Sequence, residues 1–256
     1  MNLLTIDIGN TNITCGLFKG KTLLKKWRIP NDRSHSASSL GKRLKQSIGV
    51  RNTKNIEGAC ICSVVPKLNH RIRNACSDAL GIKPLFVNWR IIGMPIKKYN
   101  KKQLGVDRIV AAYAAYEKYR KALIVIDAGS AITIDLVTKQ GEFSGGVIVP
   151  GLTTSAKTLE SISTKLPYVK PSVVKHTKGK STKEAISAGL FHGYAGLVDH
   201  LVKKISRQVR TQPLVIATGG EAALLKRACT SIDRVHDDLI LEGLRVMWER
   251  NAITPI

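Results

Sequence analysis

Leu3-Leu4-Thr5-Ile6-Asp7-Ile8-Gly9-Asn10-Thr11-Asn12 opens the chain, and Leu123-Ile124-Val125-Ile126-Asp127-Ala128-Gly129-Ser130-Ala131-Ile132 stands 120 residues further on, with Leu, Ile, Asp and Gly in register. Each stretch reads as a buried apolar strand that ends in a carboxylate. A glycine then frees the backbone to turn, and a small hydroxyl or amide residue follows. A turn of this kind lets backbone N–H groups converge on an anion, while the aspartate holds a cation or a water beside it. Asp-x-Gly also closes ordinary strand turns, so a single copy would say little. Two copies in register point to a duplicated unit in which phosphate and metal meet.

At 256 residues the chain is long enough for one large domain or two of about half that length. The repeat favours two, residues 1–118 and 119–256. Hydrophobic residues at 43% and charged residues at 23% are those of a soluble globular protein rather than a disordered one. The first residues lack a basic n-region and meet Asp7 early, which argues against a secretory signal, and no apolar run approaches the ~20 residues of a membrane span. Five cysteines (Cys15, Cys60, Cys62, Cys76, Cys229) form no Cys-x-x-Cys pair and are odd in number. That usage fits reduced, buried thiols and a cytoplasmic protein. The 41 Lys plus Arg against 18 Asp plus Glu give a net charge of +23. The cations are spread along the chain, with small knots at Lys97-Lys98, Lys101-Lys102 and Lys175 to Lys183. They imply a surface that draws polyanions and anionic substrates without reading a specific nucleic acid.

Outward from the first stretch, Ile13 to Phe18 resumes as a strand, and Lys19-Gly20-Lys21 turns it into another, Thr22 to Ile29. Ser36 to Ile48 carries Leu40, Leu44 and Ile48 at helical spacing. Ala59 to Val65 is a buried strand stopped by Pro66, its cysteines Cys60 and Cys62 read as packing residues on opposite faces. Pro66 suits the first turn of a helix reaching Leu80. Leu85 to Val87 is a short strand, Trp89 to Leu104 a long basic loop of a functional kind, and Gly105 to Tyr119 a helix. The second half repeats the opening, with strands at Ala131 to Val137 and Glu142 to Val149 around a turn at Gln140-Gly141. Helices follow at Leu152 to Ser161, Thr182 to Val209, Glu221 to Ala228 and Leu239 to Asn251, with a strand at Leu214 to Ala217.

Several motifs carry chemistry. Gly9, Asn10 and Thr11 supply a turn with hydroxyl and amide donors, and Ser130 offers the equivalent hydroxyl. Thr218-Gly219-Gly220 follows a strand and opens a helix, where glycines let a nucleotide approach backbone N–H groups. Gly179-Lys180-Ser181 imitates the end of a Walker A loop, but the earlier glycine would fall at Val174, so the spacing fails. In Gly105-Val106-Asp107-Arg108, Asp107 is either a helix cap or a base. Arg108 opposes the helix dipole and so suggests an anionic ligand. Together they suit a substrate with a hydroxyl for Asp107 and a carboxylate for Arg108. Ser181 and Glu184 have capping-box spacing, which leaves the hydroxyl of Thr182 available. Gly189, Gly193 and Gly196 recur at helical intervals, as where another helix packs closely, from this chain or a second subunit. The six histidines do not cluster at zinc-ligand spacing, and there is no Gly-x-Ser-x-Gly elbow.

The order and spacing of these motifs resemble the type III pantothenate kinases, within the actin, sugar-kinase and heat-shock-chaperone ATPase superfamily. The likeness runs nearly end to end. It takes in Asp7 to Thr11, Ser63-Val64-Val65-Pro66, Tyr99, Gly105 to Arg108, Asp127 to Ala131 and Gly145 to Gly151. Leu166-Pro167, Thr182, Thr218-Gly219-Gly220 and Leu241 to Leu244 complete it. The resemblance implies an α/β fold of two ribonuclease H-like halves with mixed sheets flanked by helices, enclosing a cleft. It implies ATP phosphates over Asp7, Ile8, Gly9, Asn10, Thr11, Asn12, Ile13 and Thr14, and near Ser130 and Gly219. Asp107 would accept the proton of the pantothenate hydroxyl, and Tyr99, Gly105, Val106 and Arg108 would hold the pantothenate. Asp127 would bind a monovalent cation, K⁺ or NH₄⁺, and Mg²⁺ would accompany ATP. Members are homodimers in which a threonine of the neighbouring subunit, here Thr182, completes the substrate pocket. The family usually carries threonine where this chain has Ser130, which keeps the hydroxyl but loses the methyl that restricts its rotamer. The implied activity is phosphorylation of pantothenate to 4′-phosphopantothenate, the first step of coenzyme A synthesis. Phosphorylation of another small alcohol or sugar, and a nucleic-acid-binding regulator that kept the fold, are the alternatives.

Overall fold

A computed structural model describes residues 2–32, 34–49, 55–97, 99–209 and 211–253. Lys98, in one of the basic knots, lies outside them. The chain divides into two compact units that interleave along the sequence instead of meeting at 118/119. The first comprises Met1–Met94, Lys101–Ala114 and Ile240–Ile256, the second Pro95–Asn100 and Ala115–Leu239.

The first unit is built on a five-stranded mixed sheet. Its strands are β1 (Asn2–Ile8), β2 (Asn12–Lys19), β3 (Thr22–Pro30), β4 (Ile56–Ser63) and β5 (Leu85–Phe86), in the order β3-β2-β1-β4-β5. β2 and β3 run antiparallel as a meander, whereas β4 and β5 are parallel to β1. Alternation along each strand decides which residues face which layer. Leu4, Ile6 and Ile8 of β1 and Ala59 and Ile61 of β4 pack with α1 (Ala37–Ile48) and α2 (Pro66–Leu80) through Leu40, Leu44, Ile48, Leu68, Ile72 and Cys76. Leu40 and Leu44 are fully buried, each contributing roughly 2 kcal/mol. Ser36 caps α1 by accepting from Ser39 N–H, and Pro66 sits in the first turn of α2. On the opposite face Leu3 and Phe18 meet Leu241 and Trp248 of the C-terminal helix Leu239–Ile253. This contact assigns the end of the chain to the first unit.

The second unit repeats the plan. Its strands β6 (Leu123–Ala128), β7 (Ala131–Val137), β8 (Phe143–Pro150), β9 (Leu214–Thr218) and β10 (Arg234–Val235) stand in the order β10-β9-β6-β7-β8, with the same antiparallel and parallel senses. Ile124, Ile126, Ile132 and Ile134 pack against Val198, Val202 and Ile205 of the long helix Thr182–Ser206 and Leu225 of the helix Ala222–Ala228.

The structure corrects several readings of the sequence. Cys60 and Cys62 lie two apart in one strand and therefore share a face, the one opposite Ala59 and Ile61. All five cysteines are buried free thiols. The stretch expected as loop holds a four-residue helix, Trp89–Ile92, capped by Asn88 and ended by the left-handed Gly93, and Ile96 bridges to Phe143. β10 is too short to be visible in the sequence. Ser181 Oγ accepts from Glu184 N–H at 3.3 Å, but the Glu184 carboxylate reaches Lys180 N–H at 2.6 Å instead of returning to the cap residue. Among the described residues, nothing outside their own helix lies within 4 Å of a Cβ placed on Gly189, Gly193 or Gly196, so of the two partners expected for this stripe the in-chain helix is not found there. No described helix is long and apolar enough to cross a membrane.

Candidate active site

Both Asp-x-Gly turns join the central strand of a sheet to its antiparallel neighbour. In the first unit Ile8 pairs with Ile13, leaving Gly9 to Asn12 as the turn, closed by Gly9 N–H to Asn12 O at 3.0 Å. In the second, Ala128 pairs with Ile132, and Gly129 N–H closes the turn on Ala131 O at 3.0 Å. The first turn is thus one residue longer. Beyond it the register of the repeat slips, so that Ile13-Thr14 matches Ile132-Thr133, and Thr14 faces Asp7 as Thr133 faces Asp127.

In the first unit the structure brings Asp7, Cys62 and Asp107 together. β1 and β4 set Asp7 beside Cys62 in parallel register, and the Cys62 thiol donates to Asp7 Oδ1 at 3.1 Å. Burial pushes Asp7 up from 3.8 to about 6; the thiol hydrogen bond opposes this and the nearby charge of Asp107 adds to it. Burial and the two carboxylates hold the Cys62 thiol well above its ordinary range, so it stays a donor. Cys62 had read only as packing. The i, i+2 spacing from Cys60 and alignment with Asp7 were the available signal.

Asp107 lies at the start of the helix Val106–Tyr119, half-buried. Its Oδ1 accepts from the next residue, Arg108 N–H, at 2.8 Å, while Gly105 O accepts from Ile109 N–H. Gly105 thus holds the N-cap position, while the Asp107 carboxylate satisfies a first-turn N–H from inside the helix. A Cβ on Gly105 would lie 2.5 Å from Asp107 Oδ1, so glycine there leaves room for the carboxylate. Burial raises Asp107, opposed by the Arg108 N–H and the Arg108 charge. Arg108 is itself 6% exposed.

In the second unit, Asp127 stands one residue before the end of β6, beside Thr218 of β9. Gly219 follows with φ +94°, and a Cβ there would lie 2.5 Å from both Asp127 Oδ1 and Ala128 O. Glycine here keeps the position beside this carboxylate free of a side chain. Gly219→Ala should combine that overlap with left-handed strain and cost about 2–3 kcal/mol; thermal denaturation would show it, and an unshifted midpoint would mean the turn is slack. Glu221 was read only as a helix start. Its carboxylate accepts from Leu152 N–H and Thr153 N–H, both at 2.9 Å, and from the Thr153 hydroxyl at 2.5 Å, while its own N–H bonds Ala128 O. It ties the Gly219 turn to the helix Leu152–Ile162. Ser130 is exposed, its carbonyl held by Thr154 Oγ1 at 2.7 Å. Tyr99 meets Phe143 edge-on at 5.9 Å. Thr182 is exposed at the first position of its helix.

Two units of one strand order, each with an acid and a glycine turn at the end of its central strand, define a protein of the actin-like ATPase and sugar-kinase fold. Solved structures agree. A Baf family protein from Campylobacter jejuni aligns with TM-score 0.63 at 23% identity over 98% of this chain and 99% of that one. The activator of 2-hydroxyisocaproyl-CoA dehydratase from Clostridium difficile aligns with TM-score 0.54 at 14% identity, over 100% and 98%. The chain belongs to the type III pantothenate kinase family, whose model matches residues 3–204. It is 40% identical over 252 residues to the type III pantothenate kinase of Syntrophotalea carbinolica, covering 97% of this chain and 99% of that protein. It is 39% identical over 255 residues to that of Geobacter sulfurreducens, with the same coverage. The reaction of the family is ATP-dependent phosphorylation of pantothenate, in coenzyme A biosynthesis.

Proposed function

We propose that Asp107 is the proton acceptor in this reaction, taking the proton of the pantothenate hydroxyl as its oxygen attacks the γ-phosphorus of ATP. The observation that carries this is the pairing of a half-buried, upward-shifted carboxylate with a backbone donor and a buried cation in one turn of helix. A carboxylate whose pKa is raised by burial is a stronger base than a solvated one. Arg108 takes the pantothenate carboxylate, aided by Gly105, Val106 and Tyr99. Thr182 enters from the neighbouring subunit of a homodimer; the uncovered face at Gly189, Gly193 and Gly196 on the same helix supports that reading.

ATP takes Asp7, Ile8, Gly9, Asn10, Thr11, Asn12, Ile13 and Thr14, with Ser130 and Gly219. Mg²⁺ neutralises phosphate charge, and Asp7 is the acid that fits its hydration shell. Asp127 is the acid that would hold K⁺ or NH₄⁺, beside Gly219, which puts no side chain there. Catalysis is then chiefly positioning and charge neutralisation. The protein is cytoplasmic in this reading. A coupled assay with ATP and pantothenate, run with and without potassium and against a panel of other alcohols, should show turnover for pantothenate and stimulation by the cation. Equal turnover of unrelated alcohols would overturn the substrate assignment. In the same assay Arg108→Ala should raise the pantothenate KM about ten- to hundredfold, as expected for a lost charge-assisted pair, and an unchanged KM would remove the carboxylate contact.

A further inference from the structure

The duplication reaches further than the two turns. β3 ends at Pro30 and β8 at Pro150, again 120 residues apart, opposite Asn12 and Ala131. The residue after each proline donates its backbone N–H to a turn carbonyl, Asn31 to Thr11 O at 2.9 Å and Gly151 to Ser130 O at 3.0 Å. There the two units part. In the second, a Cβ on Gly151 would lie 2.0 Å from Gly129 O, so backbone lies directly on backbone. In the first, the turn has its extra residue, and the matching carbonyl, Gly9 O, accepts instead from Asn31 Nδ2 at 2.7 Å. The asparagine side chain fills the distance that the longer turn opens.

We propose that Asn31 is a positioning residue for the nucleotide, holding the Gly9 to Asn12 turn in the conformation that presents its N–H groups to phosphate. A four-residue turn begun by glycine has many backbone states, and a donor fixed at each of two carbonyls removes most of them before ATP arrives. The other end of the amide, Oδ1, is buried and accepts no hydrogen bond among the described residues. It suits a water or the hydration shell of the Mg²⁺ that travels with ATP. The proposal rests on this turn being the phosphate site.

Two substitutions separate the roles. Asn31→Gly copies the residue of the second unit, keeping the backbone N–H and removing the amide. Asn31→Asp keeps the shape but sets a charged acceptor against Gly9 O. Asn31→Gly should raise the ATP KM about tenfold, the worth of one well-placed hydrogen bond, with the pantothenate KM unchanged. Asn31→Asp should raise it further, because its charge faces both a carbonyl and the phosphates. A packing role predicts the reverse order. Thr11→Val in the turn itself is the control. If that variant raises the ATP KM and Asn31→Gly does not, the assignment of Asn31 falls alone. If neither variant moves it, the phosphate reading of the turn falls with it. Equal rises for both substrates would also overturn the proposal.

Discussion

Asp107→Asn should yield a folded protein that binds ATP normally and turns over about 10²- to 10⁴-fold more slowly, the usual contribution of a positioned base. Asparagine fills the same space, so the clearance at Gly105 is kept, and its Oδ1 still accepts from Arg108 N–H. What disappears is the capacity to take a proton. Because burial lifts the pKa of Asp107 from its ordinary value, wild-type kcat/KM should fall on the acid side at a higher pH than a solvent-exposed aspartate would give. Nucleotide titration together with a pH profile of turnover tests both statements. Near-normal turnover of Asp107→Asn would take the base role from this residue.

Asp7→Asn should move stability and activity in opposite directions. The folded pKa of Asp7 is about 6, above its ordinary 3.8, so between these values the native state binds more protons than the unfolded chain. Unfolding free energy from this group therefore declines as pH rises through that window, and the cost of burying the ionised carboxylate is complete above about pH 6. The shift corresponds to at most about 3 kcal/mol. Neutral asparagine escapes that cost and can still accept from Cys62. The ligand-free variant should therefore melt several degrees higher at pH 7.5, by about 2–4 °C per kcal/mol in a chain of this size, with little gain at pH 4. Its ATP affinity in the presence of magnesium should fall, since Asp7 is the acid proposed to face the hydrated ion. An enzyme neither stabilised at pH 7.5 nor impaired with ATP would refute this account. Stored electrostatic cost at a binding acid is what a site looks like when it is built for a cationic partner.

Much of this was legible in the residues. The apolar runs of β1 and β6, the Asp-x-Gly turns and the helical spacing of Leu40, Leu44 and Ile48 are local signals, and the elements form where those signals lie. The repeat also announced two sheets of one plan. Other features depend on residues far apart in the chain. Cys62 becomes a partner of Asp7 only through parallel pairing across 55 positions, and Glu221 finds Leu152 and Thr153 across 69 and 68. The Pro30 and Pro150 match was present in the sequence, but it carries meaning only once β3 and β8 are seen to brace the turns.

The sequence by itself determined the duplicated strand-turn-strand units, the acids at their ends and the membership of the family, because each is carried by short-range pattern and residue order. Tertiary structure alone decided which helix completes which unit, that the helix begins after Gly105 with Asp107 inside its first turn, and that burial with a neighbouring acid raises Asp7. Those outcomes arise from desolvation and packing between distant segments. Such energies depend on where the chain returns in space, and no local window of residues contains them.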